Sequence, residues 1–251
     1  MQPQNGWTKT RNYLFLVIGI LMIGIGIGVV LITEPPETAP FDLLPPLLRG
    51  LKVTLQLTVG GATLALIVAL IAGIARAANS RIVRIISGVY VEIFRGSSVL
   101  VQMFWIFFVL PLPPFNIELT ALQAGILALG LNVGAYGAEV VRGAIRAIDR
   151  GQIEAAIALN MSPGLMMRRV IIPQAAVRML PPFGNLLIEL LKATSLASLI
   201  TLADVTFQAS TLRQTVGRIP ETFALLLVIY FLLAYPLTLG VRWIESRRQW
   251  A

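Results

Sequence analysis

The chain has 251 residues, 57% of them hydrophobic and 13% charged. With a mean hydropathy of +0.81, this is more apolar surface than a soluble core could bury, so a polytopic all-α membrane protein is expected and a soluble enzyme is excluded. The formal charge of +8 does not mark a nucleic-acid face, because the basic residues sit in short tracts between apolar runs, and the absence of cysteine and histidine removes disulfides, thiol nucleophiles and the usual zinc or haem ligands, leaving no expected metal site.

Helical spans need about 20 mainly apolar residues. The first candidate, Tyr13 to Thr33, follows Lys9 and Arg11 as a signal peptide would. It is longer than the usual h-region of roughly 7–15 residues and lacks an Ala-x-Ala site, so it reads as a retained span. Gly24 and Gly28, with Gly26 between them, would admit a close helix neighbour, although glycine is also simply common in membrane helices. Further spans are expected at Val53 to Ala75, Val89 to Leu110, Leu122 to Val141, Phe183 to Ala203 and Phe223 to Val241, giving about six transmembrane helices. With the N-terminus in the cytoplasm, Arg76, Arg81, Arg84, Arg142, Arg146, Arg150, Arg168, Arg169, Arg178, Arg242, Arg247 and Arg248 join Lys9 and Arg11 on the inside. Only Arg49, Lys52, Arg213 and Arg218 of the flanking loops fall outside. Both termini are therefore expected to be cytoplasmic.

Ionisable groups in the hydrocarbon region are costly and should face a partner or water. On the third span Glu92, Arg95, Ser98 and Gln102 recur at helical spacing. Asn132, Tyr136 and Glu139 do so on the fourth, and Asn185, Glu189 and Lys192 on the fifth. Turned inward, these stripes would line a hydrophilic route for a polar solute. Equally, Glu92 with Arg95 and Glu189 with Lys192 could neutralise each other at i,i+3 while the rest bond between helices and hold the bundle. Glu92, Arg95 and Lys192 are also candidates to brace the inner loop.

That loop, Arg142 to Pro182, contains a polar insert at about 149–173. Asp149 followed by Gln152 fits a capping-box variant, and a short helix is expected through Gly151, Gln152, Glu154, Ala155, Ala156 and Ala158. Asn160 suits a left-handed helix end, Ser162 and Pro163 read as N-cap and first residue of a second helix, and Pro173 is expected to stop it. Two short helices would make a knob for a partner protein. An amphipathic loop on lipid headgroups, with Arg168 and Arg169 against phosphate, stands level with it on the residues alone.

Glu154-Ala155-Ala156, Asn160, Val170, Ile172 and Pro173 resemble, in register, the EAA loop of type I ABC importer permeases: Glu-Ala-Ala, three residues, Gly, nine residues, Ile-x-Leu-Pro. Asn160 replaces Gly, Val170 replaces Ile and Ile172 replaces Leu. Leu48 to Leu55, Tyr90 to Ser98, Ala135 to Gly143, Pro173 to Ala175 and Leu191 to Leu196 are similar to the polar amino acid subfamily, and the likeness runs from about Leu48 to Glu245. The resemblance implies a bacterial inner-membrane transmembrane domain at 48–245. Residues 1–47 would then be a cytoplasmic tail, an added helix and an outer loop, and 246–251 a cytoplasmic tail. It implies that the insert docks on an ABC ATP-binding subunit dimer that holds the ATP and Mg, that a second permease half, identical or homologous, completes the pathway, and that an extracytoplasmic solute-binding protein delivers the solute. This chain has no G-x-x-x-x-G-K-[ST] loop of its own, so no cofactor is expected on it.

Ala193 stands where the subfamily usually has Asp, and Glu189 where a small polar residue is common. With Phe104 to Pro111, these departures resemble permeases for ectoine-type compatible solutes. A site with both charge signs suits a zwitterion. An ATP-independent secondary transporter or channel is the alternative, and a hydrolase is disfavoured because no histidine can act as base.

Overall fold

The computed structural model describes Gly24, residues 43–78 and residues 80–248. The expected first span and its glycines, Gly24 apart, lie outside the described residues. Four helices are long and apolar enough to cross a membrane, and a fifth span is a bent pair. The chain is all-helical among the described residues.

Helix α1, Leu44–Ala77, pairs along most of its length with α4, Ala121–Arg146. Lipid tails are as apolar as leucine, so the pairing rests on close packing rather than on water exclusion. Small residues supply it: Gly61, Ala65, Ala69, Ala72 and Gly73 are buried on α1, and Gly130, Gly134, Gly137 and Ala138 on α4. A Cβ on Gly137 would stand 2.7 Å from Ala69 Cβ and 3.0 Å from Phe183 Cε1, so a side chain there would force the helices apart. The start of α4 carries a full capping box, with the Gln123 amide donating to Thr120 Oγ1 at 3.3 Å and the Thr120 amide to Gln123 Oε1 at 3.0 Å.

The third expected span is not one helix. It breaks into α2, Arg81–Gly96, and α3, Val99–Phe104, which continues as a π-helical turn, Trp105–Val109. The two parts meet at 102°. Gly96 is a weak helix former, and Ser97 and Ser98 take extended backbone angles. Side chains satisfy the carbonyls that the break frees: Ser97 Oγ donates to Ile93 O at 2.7 Å, and Gln102 Nε2 to Phe94 O at 2.9 Å and Ser97 O at 3.2 Å. Serine competes with the helix in this way wherever a second donor can finish the job.

After α4 comes the insert: α5, Arg150–Ala158, then α6, Pro163–Met166. The second helix does not stop at Pro173. It passes through a π turn, Met167–Ile171, into α7, Ile172–Ala193, so that one apolar rod of 38 residues runs from Pro163 to Ile200. The Ile172 amide donates to the Met167 carbonyl, and the wider turn relieves the pressure of the Pro173 ring on the carbonyl four residues back. The expected span Phe183 to Ala203 is only the latter part of this rod. A 3₁₀ stretch, Thr194–Ile200, ends at Thr201, a β-branched residue held at φ 62°.

Helix α8, Val205–Val216, is capped by Asp204 and ended by Gly217 at φ 73°. Helix α9, Ile219–Arg248, then runs back along the bundle. Leu47 of α1 packs with Val205, Ala209 and Ile229, fixing α8 and α9 to the α1 start. Gly50 is the point of closest approach, because a Cβ there would lie 2.6 Å from the Asp204 carbonyl.

Candidate functional site

Two regions concentrate the polar groups: the insert at one end of the bundle, and a cavity between α7, α8 and α9 toward the other.

In the insert, Asp149 Oδ1 accepts from the Gly151 amide at 2.7 Å, so the helix is capped as expected. The capping box is not completed. Gln152 instead accepts through Oε1 from Gln174 Nε2 at 3.3 Å, which ties α5 to the base of α7. Asn160 has φ 53°, a conformation that asparagine tolerates better than most residues, and its amide donates to Ile157 O at 2.8 Å. Ser162 caps α6, with the Leu165 amide donating to its Oγ at 3.4 Å, and Pro163 occupies the first turn.

The knob has two sides. Ala156 is 3% exposed and faces the bundle, whereas Gly151, Glu154, Ala155 and Pro173 are exposed. Ile157 is 61% and Leu159 76% exposed, and Ile157 shares a helix face with Glu154 at i,i+3. An exposed apolar ridge beside a carboxylate on a polar insert suits a protein surface. The sequence reading missed these two residues, although apolar side chains inside a polar insert are a usable signal. It also missed Arg178 of α7, whose Nη1 donates to the Ala147 carbonyl at the entry to α5.

The membrane stripes divide differently from the expectation. Glu139 is held by Arg76 of α1, at 2.7 Å, and by Arg142. Asn132 Nδ2 donates to Phe94 O at 2.8 Å, joining α4 to the end of α2. Arg95 lies 5.1 Å from the centre of the Tyr136 ring, a cation–π contact. Gln102 clamps the α2–α3 break, and Ser98 sits at the start of α3 without capping it.

Because of the bend, Glu92, Arg95, Ser98 and Gln102 form no single stripe. The i,i+3 pairs Glu92 with Arg95 and Glu189 with Lys192 do not form: the ion pairs among the described residues are Arg76–Glu139, Arg142–Glu139 and Arg218–Glu221. Glu92, Asn185 and Glu189 are exposed on the bundle surface. Arg178 and Gln174, rather than Glu92, Arg95 or Lys192, brace the insert.

Lys192 reaches the cavity, which measures about 740 Å³ and is walled by Lys192, Ser195, Thr206, Phe223, Tyr230 and neighbouring apolar residues of α9. That volume lies in the range of small-molecule sites. Behind its wall Asp204 is fully buried in the connection between two spans. Burial pushes its carboxyl up to about 6, against the downward pull of the Phe207 and Thr206 amides and the Thr206 and Tyr230 hydroxyls. No sequence spacing flags this cluster, because Thr206 and Tyr230 meet only through the tertiary fold.

Residues 65–250, which include the insert and the cavity, match the model of the binding-protein-dependent transport system inner membrane component. The chain belongs to that family. Within it, the probable amino-acid ABC transporter permease protein y4tF of Sinorhizobium fredii (strain NBRC 101917 / NGR234) is 45% identical over 209 residues, covering 82% of this chain and 88% of that protein. The glutamine transport system permease protein GlnP of Escherichia coli (strain K12) is 34% identical over 210 residues, covering 84% and 96%. A crystal structure of an amino acid ABC transporter with histidines superposes with a TM-score of 0.76 at 33% identity, covering 82% of this chain and 96% of that one. This permease is thus a multi-pass inner-membrane protein with the type I importer transmembrane fold, and not itself an enzyme.

Proposed function

We propose that this permease is one transmembrane half of an ATP-driven importer for a polar amino acid or a similar zwitterion. A separate ATP-binding dimer docks on the α5–α6 knob, a second permease half completes the pathway, and a solute-binding protein presents the solute at the opposite face. In this reading the knob and both chain termini are cytoplasmic.

The observation that carries the reading is the knob's construction. Its outer side offers Glu154, Ile157 and Leu159 to a partner. Its inner side is tied to α7 through Gln152–Gln174 and Arg178–Ala147, and α6 runs without interruption into a membrane span. A push on the knob therefore reaches the membrane through hydrogen-bonded helix rather than through loop. The relatives' amino-acid transport supports the solute class. An ATP-independent transporter would have no use for such a part.

Glu154→Lys reverses the charge on the docking side without touching a buried contact. It is expected to leave membrane insertion intact, to weaken co-purification with the ATPase and to abolish uptake. Normal association and normal uptake in this variant would remove the docking role.

A further inference from the structure

The cavity between α7, α8 and α9 carries opposite charges on its two sides. Lys192 lines it and has no carboxylate within ion-pair distance among the described residues. Across the cavity wall Thr206 and Tyr230 contribute hydroxyls 3.0 Å apart. Behind them stands Asp204, 0% exposed. Its two oxygens have separate duties: Oδ1 accepts the Phe207 amide at 2.8 Å and caps α8, while Oδ2 lies 3.5 Å from the Tyr230 hydroxyl. A buried carboxylate is costly unless charge or hydrogen bonds compensate it. Here every partner is neutral, so the cluster keeps an uncompensated negative charge facing the cavity.

The direction of the hydrogen bonds gives that charge a use. A carboxylate only accepts, so the Tyr230 O–H is drawn toward Oδ2. The phenol oxygen and Thr206 Oγ1 are then left with lone pairs on the cavity side. We infer that the Thr206–Tyr230 wall binds the ammonium group of the transported solute through N–H donation, with Asp204 as the positioning residue behind it and Lys192 taking the solute's carboxylate. The inference rests on the importer reading and narrows the solute to a zwitterion whose cation bears at least one N–H. A quaternary ammonium such as betaine has nothing to donate and is rejected.

The test uses the complete transporter, with its ATPase, second permease half and binding protein, in proteoliposomes. Import of radiolabelled glutamine, the other common amino acids, ectoine and betaine is measured with and without ATP. If the wild type imports none of them in an ATP-dependent manner, the importer reading falls and the inference falls with it.

With the best imported solute in hand, its binding to the solubilised permease–ATPase complex is measured without binding protein. Tyr230→Phe removes only the hydroxyl. Asp204→Asn keeps the capping oxygen and removes the charge, so α8 stays capped. Each is expected to weaken binding about tenfold, the scale of a hydrogen bond to a charged group, while the basal ATPase rate stays within about twofold, a pattern that general misfolding would not produce. An importing wild type whose affinity is unchanged in Tyr230→Phe, or whose complex shows no measurable binding, overturns the inference, as does import of betaine at the same rate. If Asp204→Asn does not assemble, Tyr230→Phe decides alone.

Discussion

Arg178→Met should loosen the coupling between ATP hydrolysis and transport. Arg178 reaches from α7 to the Ala147 carbonyl, the last turn before the knob, and the other tie, Gln174 to Gln152, is a longer bond of 3.3 Å. A charged donor contributes about 1.5–3 kcal/mol to a protected hydrogen bond. Arg178 is exposed and water competes for it, so about 1 kcal/mol is the appropriate scale. Methionine keeps the stem and removes the donor. A loss of about 1 kcal/mol raises the population with the knob detached from α7 about fivefold. In proteoliposomes, the number of ATP molecules hydrolysed per solute imported should rise by about two- to fivefold, with the ATPase rate itself little changed. Arg178→Lys, which retains a donor of shorter reach, should fall between the two. An assembled Arg178→Met complex with the wild-type ratio would refute the idea that this bond transmits force.

Two further outcomes concern the bundle. Gln102→Leu deprives Phe94 O and Ser97 O of their side-chain donor at the α2–α3 break, where lipid offers none; a loss of about 1–3 kcal/mol is expected, read as a lower midpoint in thermal unfolding of the solubilised complex. Gly137→Val forces a Cβ to 2.7 Å from Ala69 Cβ at the α1–α4 seam; overpacking of this kind costs about 1–3 kcal/mol, and Gly137→Ala should be the milder of the two by the same measurement.

The regular parts of this fold were legible because they depend on local rules. Apolar length located α1, α4 and α9, and residue preference located the turn at Asn160 and the cap at Ser162. Apolar length also misled: Val89 to Leu110 reads as one span because Gly96-Ser97-Ser98 is short and flanked by apolar residues, and only the carbonyl-binding reach of Gln102 makes a 102° bend tolerable there. The expectation that Pro173 ends a helix followed from the α-helical clash, and the π turn before it evades that clash.

At the site, spacing named Lys192 and Glu139 but not their surroundings. Glu139 owes its environment to Arg76 on another helix, and Asp204 owes its burial to Gly50 and Tyr230, neither of them a neighbour in sequence. The i,i+3 rule offered Glu92 to Arg95 and Glu189 to Lys192. The fold instead turned Arg95 onto the Tyr136 ring and Lys192 into the cavity.

The uninterrupted helix from Pro163 to Ile200 puts the nucleotide-facing elbow and the ammonium of Lys192 on a single beam, roughly 40 Å apart at 1.5 Å per residue. Its only softened places are the π turn and the Pro181–Pro182 pair. A tilt at one end must swing Lys192 toward or away from Tyr230, which stands on α9 and does not ride with it. Grip on the cargo and the stroke of the motor are then two readings of one lever angle, and release requires no signal of its own.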